Sequence, residues 1–158
     1  MNDYRNLENK FKNEIELHIK NAMPNLFDSF VHFRQSDDEE DGKLSFDLVF
    51  NMNFTISIRI RKNSYLKYND MTIRYKSLKG KRTEIDKIKD GLAQIYFYAY
   101  MSEDENSLYK VRICNVESIR KLIEEKNYKV RENADGTMLA AFKFKDIANN
   151  GGAVYKFN

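Results

Sequence analysis

Residues 44–77 contain three short segments in which apolar and polar side chains alternate, and this alternation constrains the fold more than any other feature of the chain. The segments are residues 44–50, 54–62 and 71–77. A period of two is typical of β-strands that bury one face. Residues 51–53 form the predicted turn between the first two strands. We expect the apolar side chains of all three strands to share one face of a sheet and the polar side chains to share the other.

The polar face predicted for these strands combines one carboxylate with several cations. Asp47 lies on the first strand, and the cations lie on the other two. Between residues 59 and 89 the chain has eleven lysines and arginines against three acids, a net charge of +8, whereas the whole chain of 158 residues carries only +3. Such a basic block attracts polyanions. The residues expected to bind them are Arg59, Arg61, Lys62, Arg74, Lys76, Lys81 and Arg82.

The remaining segments predict helices and strands around this sheet. Residues 3–22 have apolar side chains at three- and four-residue steps, which predicts an amphipathic helix. Thr83 should begin a second helix through a capping box. Residues 94–101 form a tyrosine-rich, almost continuously apolar run, which is typical of a strand covered on both faces, and its tyrosines should pack in the core. Residues 109–113 predict another strand. Asn115 should cap a third helix, followed by a hairpin and a short final strand. The residues predicted to form the core are Leu44, Phe46, Leu48, Phe50, Phe54, Ile56, Ile58, Ile60, Ile73, Ile95, Phe97, Val111 and Ile113.

Composition limits the class of protein. The length predicts a single domain over residues 1–158, and the hydrophobic fraction of 42% is enough for a core. One cysteine, Cys114, excludes an internal disulfide and a cysteine-rich metal site. Neither a signal peptide nor an apolar run of about 20 residues is present, so we expect no membrane partner and a cytoplasmic location in a host cell.

Common catalytic motifs are missing from the sequence. It contains no glycine-rich phosphate loop and no His-Glu-x-x-His motif, and it has only two histidines. Nucleophilic catalysis is therefore disfavoured, which leaves carboxylate and lysine chemistry on a sheet, or binding without catalysis. The acidic run at residues 37–41 predicts an exposed loop. Whether this loop only solvates the chain or imitates phosphates is left open.

The order of elements resembles the PD-(D/E)xK nuclease-like superfamily. A helix is followed by a hairpin with Asp47 on its first strand, then by a basic strand, a third strand, a helix and the tyrosine-rich strand. Residues 83–100 are similar to the helix and strand that follow the catalytic hairpin in small phage and bacterial members. The likeness covers roughly residues 1–125. It implies an α+β (α/β) fold with a central mixed sheet that begins with an antiparallel hairpin and is flanked by helices, as in restriction endonucleases.

The resemblance also implies a metal motif, and the sequence departs from it. In that superfamily an Asp and an (Asp/Glu)-x-Lys triplet bind Mg²⁺ and orient the attacking water. Asp47 matches the first position, but Ser57 or Arg59 stands where the second carboxylate belongs, and Arg59 or Arg61 replaces the lysine. An active enzyme would use Asp47 and Arg59 with a migrated carboxylate. The candidates for that carboxylate are Glu8, Glu14, Asp70 and Glu84.

Three hypotheses follow. The first is a catalytically degenerate nuclease-like fold that acts by binding, without a cofactor. Its partner is nucleic acid or a nucleic-acid-processing protein of the host, as expected for a phage or mobile-element inhibitor of the anti-CRISPR or anti-restriction type. The second is an active Mg²⁺-dependent nuclease with a rearranged site. The third is a structural interaction protein whose basic face is incidental. The sequence favours the first and leaves the oligomeric state open.

Overall fold

The computed structural model describes residues 3–22, 33–35, 48–50, 55–76, 80, 82–150 and 155–157. The helices are α1 Asp3–Lys10, α2 Lys12–Ala22, α3 Glu84–Lys89, α4 Val116–Glu124 and α5 Phe144–Asn149. The strands are β1 Phe33–Gln35, β2 Leu48–Phe50, β3 Thr55–Arg61, β4 Asp70–Lys76, β5 Ile95–Met101, β6 Leu108–Asn115, β7 Lys129–Glu132, β8 Met138–Lys143 and β9 Tyr155–Phe157. A 3-10 helix, Asn63–Tyr68, joins β3 to β4.

The strands form two sheets. The large sheet has the order β1-β2-β3-β5-β6-β9, and the small sheet has the order β4-β8-β7. In the large sheet β3 runs parallel to β5, whereas the other neighbouring strands of both sheets are antiparallel. The predicted antiparallel pairing of the first two strands is present, with β2 beside β3. Helices together with a mixed and an antiparallel sheet confirm the predicted α+β class.

The third predicted strand, β4, does not belong to the sheet in which the sequence analysis placed it. We expected β4 to continue the sheet of β2 and β3, but it pairs with β8 in the small sheet. The position beside β3 is taken by β5, whose residues are buried along its whole length and which therefore suits the sheet interior. The 3-10 helix leads the chain away from β3 and ends at Asn69, whose φ is +47°. Arg74 and Lys76 consequently share no sheet face with Arg59 and Arg61.

Each face of the large sheet packs against a different layer. Alternate residues of β3 and β5, such as Ile58 and Phe97, pack against α1 and α2. The residues between them on β5, Tyr96, Tyr98 and Tyr100, pack against the small sheet and helices α3, α4 and α5. The following predicted core residues are buried, as expected: Ile56, Ile58, Ile60, Ile73, Ile95, Phe97, Val111 and Ile113. The predicted core positions 44, 46 and 54 lie outside the described residues, and only the backbone is described at 48 and 50.

Local signals placed several helices correctly. Thr83 forms the predicted capping box, because its hydroxyl accepts a hydrogen bond from the Asp86 amide and the Asp86 carboxylate accepts one from the Thr83 amide. Asn115 caps α4, because its side-chain oxygen accepts a hydrogen bond from the Glu117 amide. The predicted helix over residues 3–22 is present as α1 and α2, which meet at the buried Phe11. Among the described helices, none is long and apolar enough to cross a membrane.

Candidate functional site

A buried ion pair occupies the centre of the predicted basic face. Arg59 points from β3 toward α3 and is only 9% exposed. Its guanidinium donates a hydrogen bond to Oε1 of Glu84, the first residue of α3. The second oxygen of Glu84, Oε2, accepts a hydrogen bond of 2.8 Å from the backbone amide of Arg74. Glu84 thus joins the two sheets through one residue on each, and Arg59 has no open surface to offer a ligand.

The electrostatics keep this pair charged. Burial has the largest single effect and lowers the pKa of Arg59. The Glu84 carboxylate together with Tyr96 and Tyr98 outweighs burial, so the pKa of Arg59 is raised above its ordinary value. Burial alone raises the pKa of Glu84, but Arg59 and the Arg74 amide outweigh it, and the pKa of Glu84 is lowered. Both groups are therefore ionised at neutral pH, and Arg59 acts as a structural residue.

The described carboxylates do not fit a shared Mg²⁺ site on β3. Glu14 belongs to α2 on the opposite face of the large sheet, where its Oε2 accepts a hydrogen bond of 2.8 Å from the Leu108 amide. Glu8 belongs to α1 on that same face. Asp70 and Glu84 are each paired with an arginine. Within the described ranges no three His, Cys, Asp or Glu side chains cluster as metal ligands. Asp47 lies outside those ranges.

The other predicted binding residues differ in how far they are exposed. The exposed ones are Lys62, Arg74, Lys76 and Arg82. Arg82 pairs with Asp90, the residue directly after α3. Lys81 lies outside the described residues. Arg61 differs from these cations, because it is half-buried at the end of β3 and lines a cavity. The structure thus divides the predicted set into a buried structural arginine, several exposed cations and one arginine that lines a cavity.

This inter-sheet cavity has a volume of about 180 Å³ and lies between the two sheets, at the C-terminal ends of the parallel strands β3 and β5. We define it by Arg61, Tyr65, Tyr68, Asp70, Tyr100 and Arg131. Its inner wall is closed by hydrogen bonds: the Tyr100 hydroxyl donates to the backbone oxygen of Asp70 at 2.8 Å. The Tyr98 hydroxyl lies 3.2 Å from Oγ1 of Thr72. These two tyrosines therefore serve packing, as their sequence pattern predicted.

Two arginines of the cavity lie over tyrosine rings. The Arg61 guanidinium carbon is 4.1 Å from the centre of the Tyr65 ring. The corresponding distance from Arg131 to the Tyr68 ring is 4.7 Å. Such contacts are typical of cation–π interactions, and they fix the guanidinium planes. Each arginine is thereby held in a defined position beside the cavity.

The two arginines differ in their partners. Arg131 binds the Asp70 carboxylate at 2.5 Å, whereas Arg61 forms no ion pair with another described residue. The Nε atom of Arg61 is buried and has no hydrogen-bond partner among the described atoms. A cation without an ion pair gains more from an incoming anion than a cation such as Arg131, which already has a carboxylate partner. Arg61 is therefore the group of the cavity best prepared to bind an anion.

The cavity also contains acids. Burial raises the pKa of Asp70, and the two arginines oppose that effect. Because Arg131 pairs with Asp70, the charge of this acid is largely compensated. Glu132 lines the cavity too, but it is exposed to solvent, which screens its charge. Among the described lining residues, Arg61 is therefore the cation that lies next to the aromatic walls without an ion pair.

Sequence reasoning missed three of the residues that form this cavity. Tyr65 and Tyr68 fall between two predicted strands and Arg131 falls in a predicted hairpin, so none was assigned a role. The three-residue spacing of the tyrosines was the available signal, because it matches the turn of a 3-10 helix. The partnership of Arg131 with Asp70 spans distant segments and leaves no local signal.

Comparison of the chain with protein-family models and with curated proteins found no match.

Proposed function

We propose that this protein binds nucleic acid and does not cut it. The observation that supports the proposal best is Arg61, a cation without an ion pair to another described residue at the rim of a cavity with aromatic walls. Arginine and aromatic rings together are the groups that nucleic-acid binding proteins use for phosphates and bases. The exposed cations Lys62, Arg74 and Lys76 add long-range attraction for a polyanion.

The lack of cleavage follows from the state of the carboxylates. Mg²⁺ in phosphoryl-transfer sites is held by one or two carboxylates that have free oxygens. Both oxygens of Glu84 already accept hydrogen bonds, and Asp70 is bound by Arg131. A cation near Arg59 and Arg61 would also be repelled by them. These contacts favour the degenerate form of the nuclease-like fold over the active form.

A relationship to the PD-(D/E)xK superfamily belongs to the same proposal. Support comes from the topology: an antiparallel pair, β2 and β3, is followed through α3 by β5, which lies parallel to β3. The biological role expected from the sequence, inhibition of a host nucleic-acid enzyme by a phage or mobile-element protein, stays a prediction. A protein that holds nucleic acid without cutting it would act in this role by occupying the enzyme's substrate.

Substitution of Arg61 tests the proposal. We expect Arg61→Gln to weaken binding of a fluorescent oligonucleotide and to reduce the slope of log affinity against log salt by about 0.7 for a single strand, because one phosphate contact is lost. Fluorescence anisotropy over a range of NaCl concentrations measures both quantities. Lys121→Gln is the matched control, since it removes one exposed charge from α4 outside the cavity. Equal salt slopes in the two variants would contradict a role of Arg61 in phosphate binding.

A further inference from the structure

Two half-exposed tyrosines stand side by side at the mouth of the inter-sheet cavity. Tyr65 and Tyr68 belong to the 3-10 helix, in which residues three apart lie on the same side. Their exposed fractions are 42% and 48%. Large aromatic side chains are costly to leave in water, so a pair of them next to a cavity is typical of a binding surface. The helix thus presents two rings in one direction.

Among the described residues, the single cation over Tyr65 leaves one face of that ring for a ligand. A tyrosine ring has two faces, and the Arg61 guanidinium covers one face of Tyr65. Arg131 lies over Tyr68, and the exposed Lys67 has its Nζ 5.2 Å from the centre of the same ring. A nucleobase stacks on an aromatic ring whatever its sequence, because every base has a π-face. Rings held by guanidiniums are already ordered, so stacking on them costs little conformational entropy.

The size of the cavity limits what enters it. Its volume of about 180 Å³ is below the roughly 300–1,000 Å³ of sites for drug-sized ligands. One ring or one phosphate therefore fits, and a base pair does not. The bases of a duplex are also stacked on each other and are unable to stack on protein side chains unless they are flipped out. Both facts favour an unpaired strand over a duplex.

We infer that the inter-sheet cavity and the 3-10 helix form a site for unpaired nucleotides of a single strand. Arg61 binds a backbone phosphate at the cavity mouth, and Tyr65 and Tyr68 stack the neighbouring bases. This inference rests on the proposed nucleic-acid binding and specifies the kind of nucleic acid. It also explains why the tyrosines are exposed while the remaining tyrosines of the cavity wall, Tyr98 and Tyr100, are buried and hydrogen-bonded.

The test compares tyrosine variants on two probes, a fluorescent oligothymidine and a duplex of the same length. We expect the wild-type protein to bind the oligothymidine more tightly. Tyr65→Ala and Tyr68→Ala should each weaken that binding about 5- to 150-fold, the range for loss of one stacked base. Tyr65→Phe should keep most of the affinity, since it retains the ring. Tyr109→Ala is the matched control, because Tyr109 is a 52% exposed tyrosine on β6 that does not line the cavity.

The outcomes separate the inference from the proposed function. Wild-type affinity in both alanine variants, with binding otherwise intact, would overturn the inference and leave nucleic-acid binding in place. The same loss on the duplex as on the oligothymidine would overturn the preference for single strands. A wild-type protein that binds neither probe would overturn both. Circular dichroism and thermal unfolding of each variant confirm that the fold is retained, which is expected for substitutions of exposed residues.

Discussion

Glu84→Gln is expected to lower the free energy of unfolding by about 3 kcal/mol, because it leaves the buried guanidinium of Arg59 without its counter-charge. Urea unfolding followed by circular dichroism measures the change. Glu117→Gln is the control: it breaks another glutamate–arginine pair at a helix N-terminus, but one that is exposed, and should cost less than about 1 kcal/mol. A change below about 1 kcal/mol in Glu84→Gln would contradict a structural role for the pair.

A double variant separates the value of the pair from the cost of breaking it. Arg59→Met with Glu84→Leu replaces both charges by apolar side chains of similar size and should be far less destabilised than Glu84→Gln alone.

The pH dependence of stability gives a second check on the role of Glu84. Because the pKa of Glu84 is lowered in the fold, its contribution is present above the unfolded value of about 4.3 and is lost as the pH falls through the folded value. As the pH falls below about 4.3, the stability difference between wild type and Glu84→Gln should therefore shrink, and it should disappear only below the lowered folded value.

Asp70 has the opposite pH dependence and must be considered in that experiment. Burial raises its pKa, so the protonated form is favoured by folding, and its contribution to stability decreases as the pH rises through the folded value. The acid is present in wild type and in Glu84→Gln alike. Its effect therefore cancels when the two proteins are compared at the same pH, and the difference reports Glu84.

Phe97→Ala is expected to lower the free energy of unfolding by about 3–5 kcal/mol, the range for deleting a fully buried phenylalanine. Phe97 is 0% exposed and lies on β5, in a core cluster with residues of β3, α1 and α2. The same urea experiment measures it, with Tyr109→Ala as an exposed aromatic control that should change stability by less than about 1 kcal/mol. A loss as small as that of the control would mean that residue 97 points away from the core.

Local patterns predicted the elements well. The alternation of Ile56, Ile58 and Ile60 placed these residues on the buried face of β3 next to α1 and α2. The continuous apolar run of β5 predicted a strand covered on both sides, and each of its residues is buried. Thr83 and Asn115 predicted helix starts because a capping hydrogen bond needs residues only a few positions apart.

The partition of strands between two sheets was not predictable from the same patterns. A period of two tells which residues of a strand share a face, but it does not tell which strand lies beside it. β4 alternates in the same manner as β3 and still pairs with β8, more than sixty residues away along the chain. Because of that single error, Arg74 and Lys76 were predicted on the same sheet face as Arg59 and Arg61, whereas they belong to the small sheet.

The candidate site depends on contacts between distant segments. Its most prepared residue, Arg61, was in the predicted binding set, because the charge pattern of β3 is local. The other residues of the cavity were not in that set. The cavity forms only when Tyr65 from the 3-10 helix, Asp70 from β4 and Arg131 from β7 come together in the folded chain. The burial of Arg59 was equally hidden, because Glu84 is twenty-five residues away and reaches it only in the folded chain.

One measurement tests most directly whether the protein binds nucleic acid without cutting it. Labelled single- and double-stranded DNA and RNA are incubated with the protein in Mg²⁺ and then in Mn²⁺. Binding and strand length are followed in the same samples. The expected result is a salt-sensitive complex in which the oligonucleotide stays intact with either metal. Cleavage that persists through purification and disappears in Asp47→Ala would contradict the proposal. Asp47 would then be a metal ligand, and the protein would be an active nuclease.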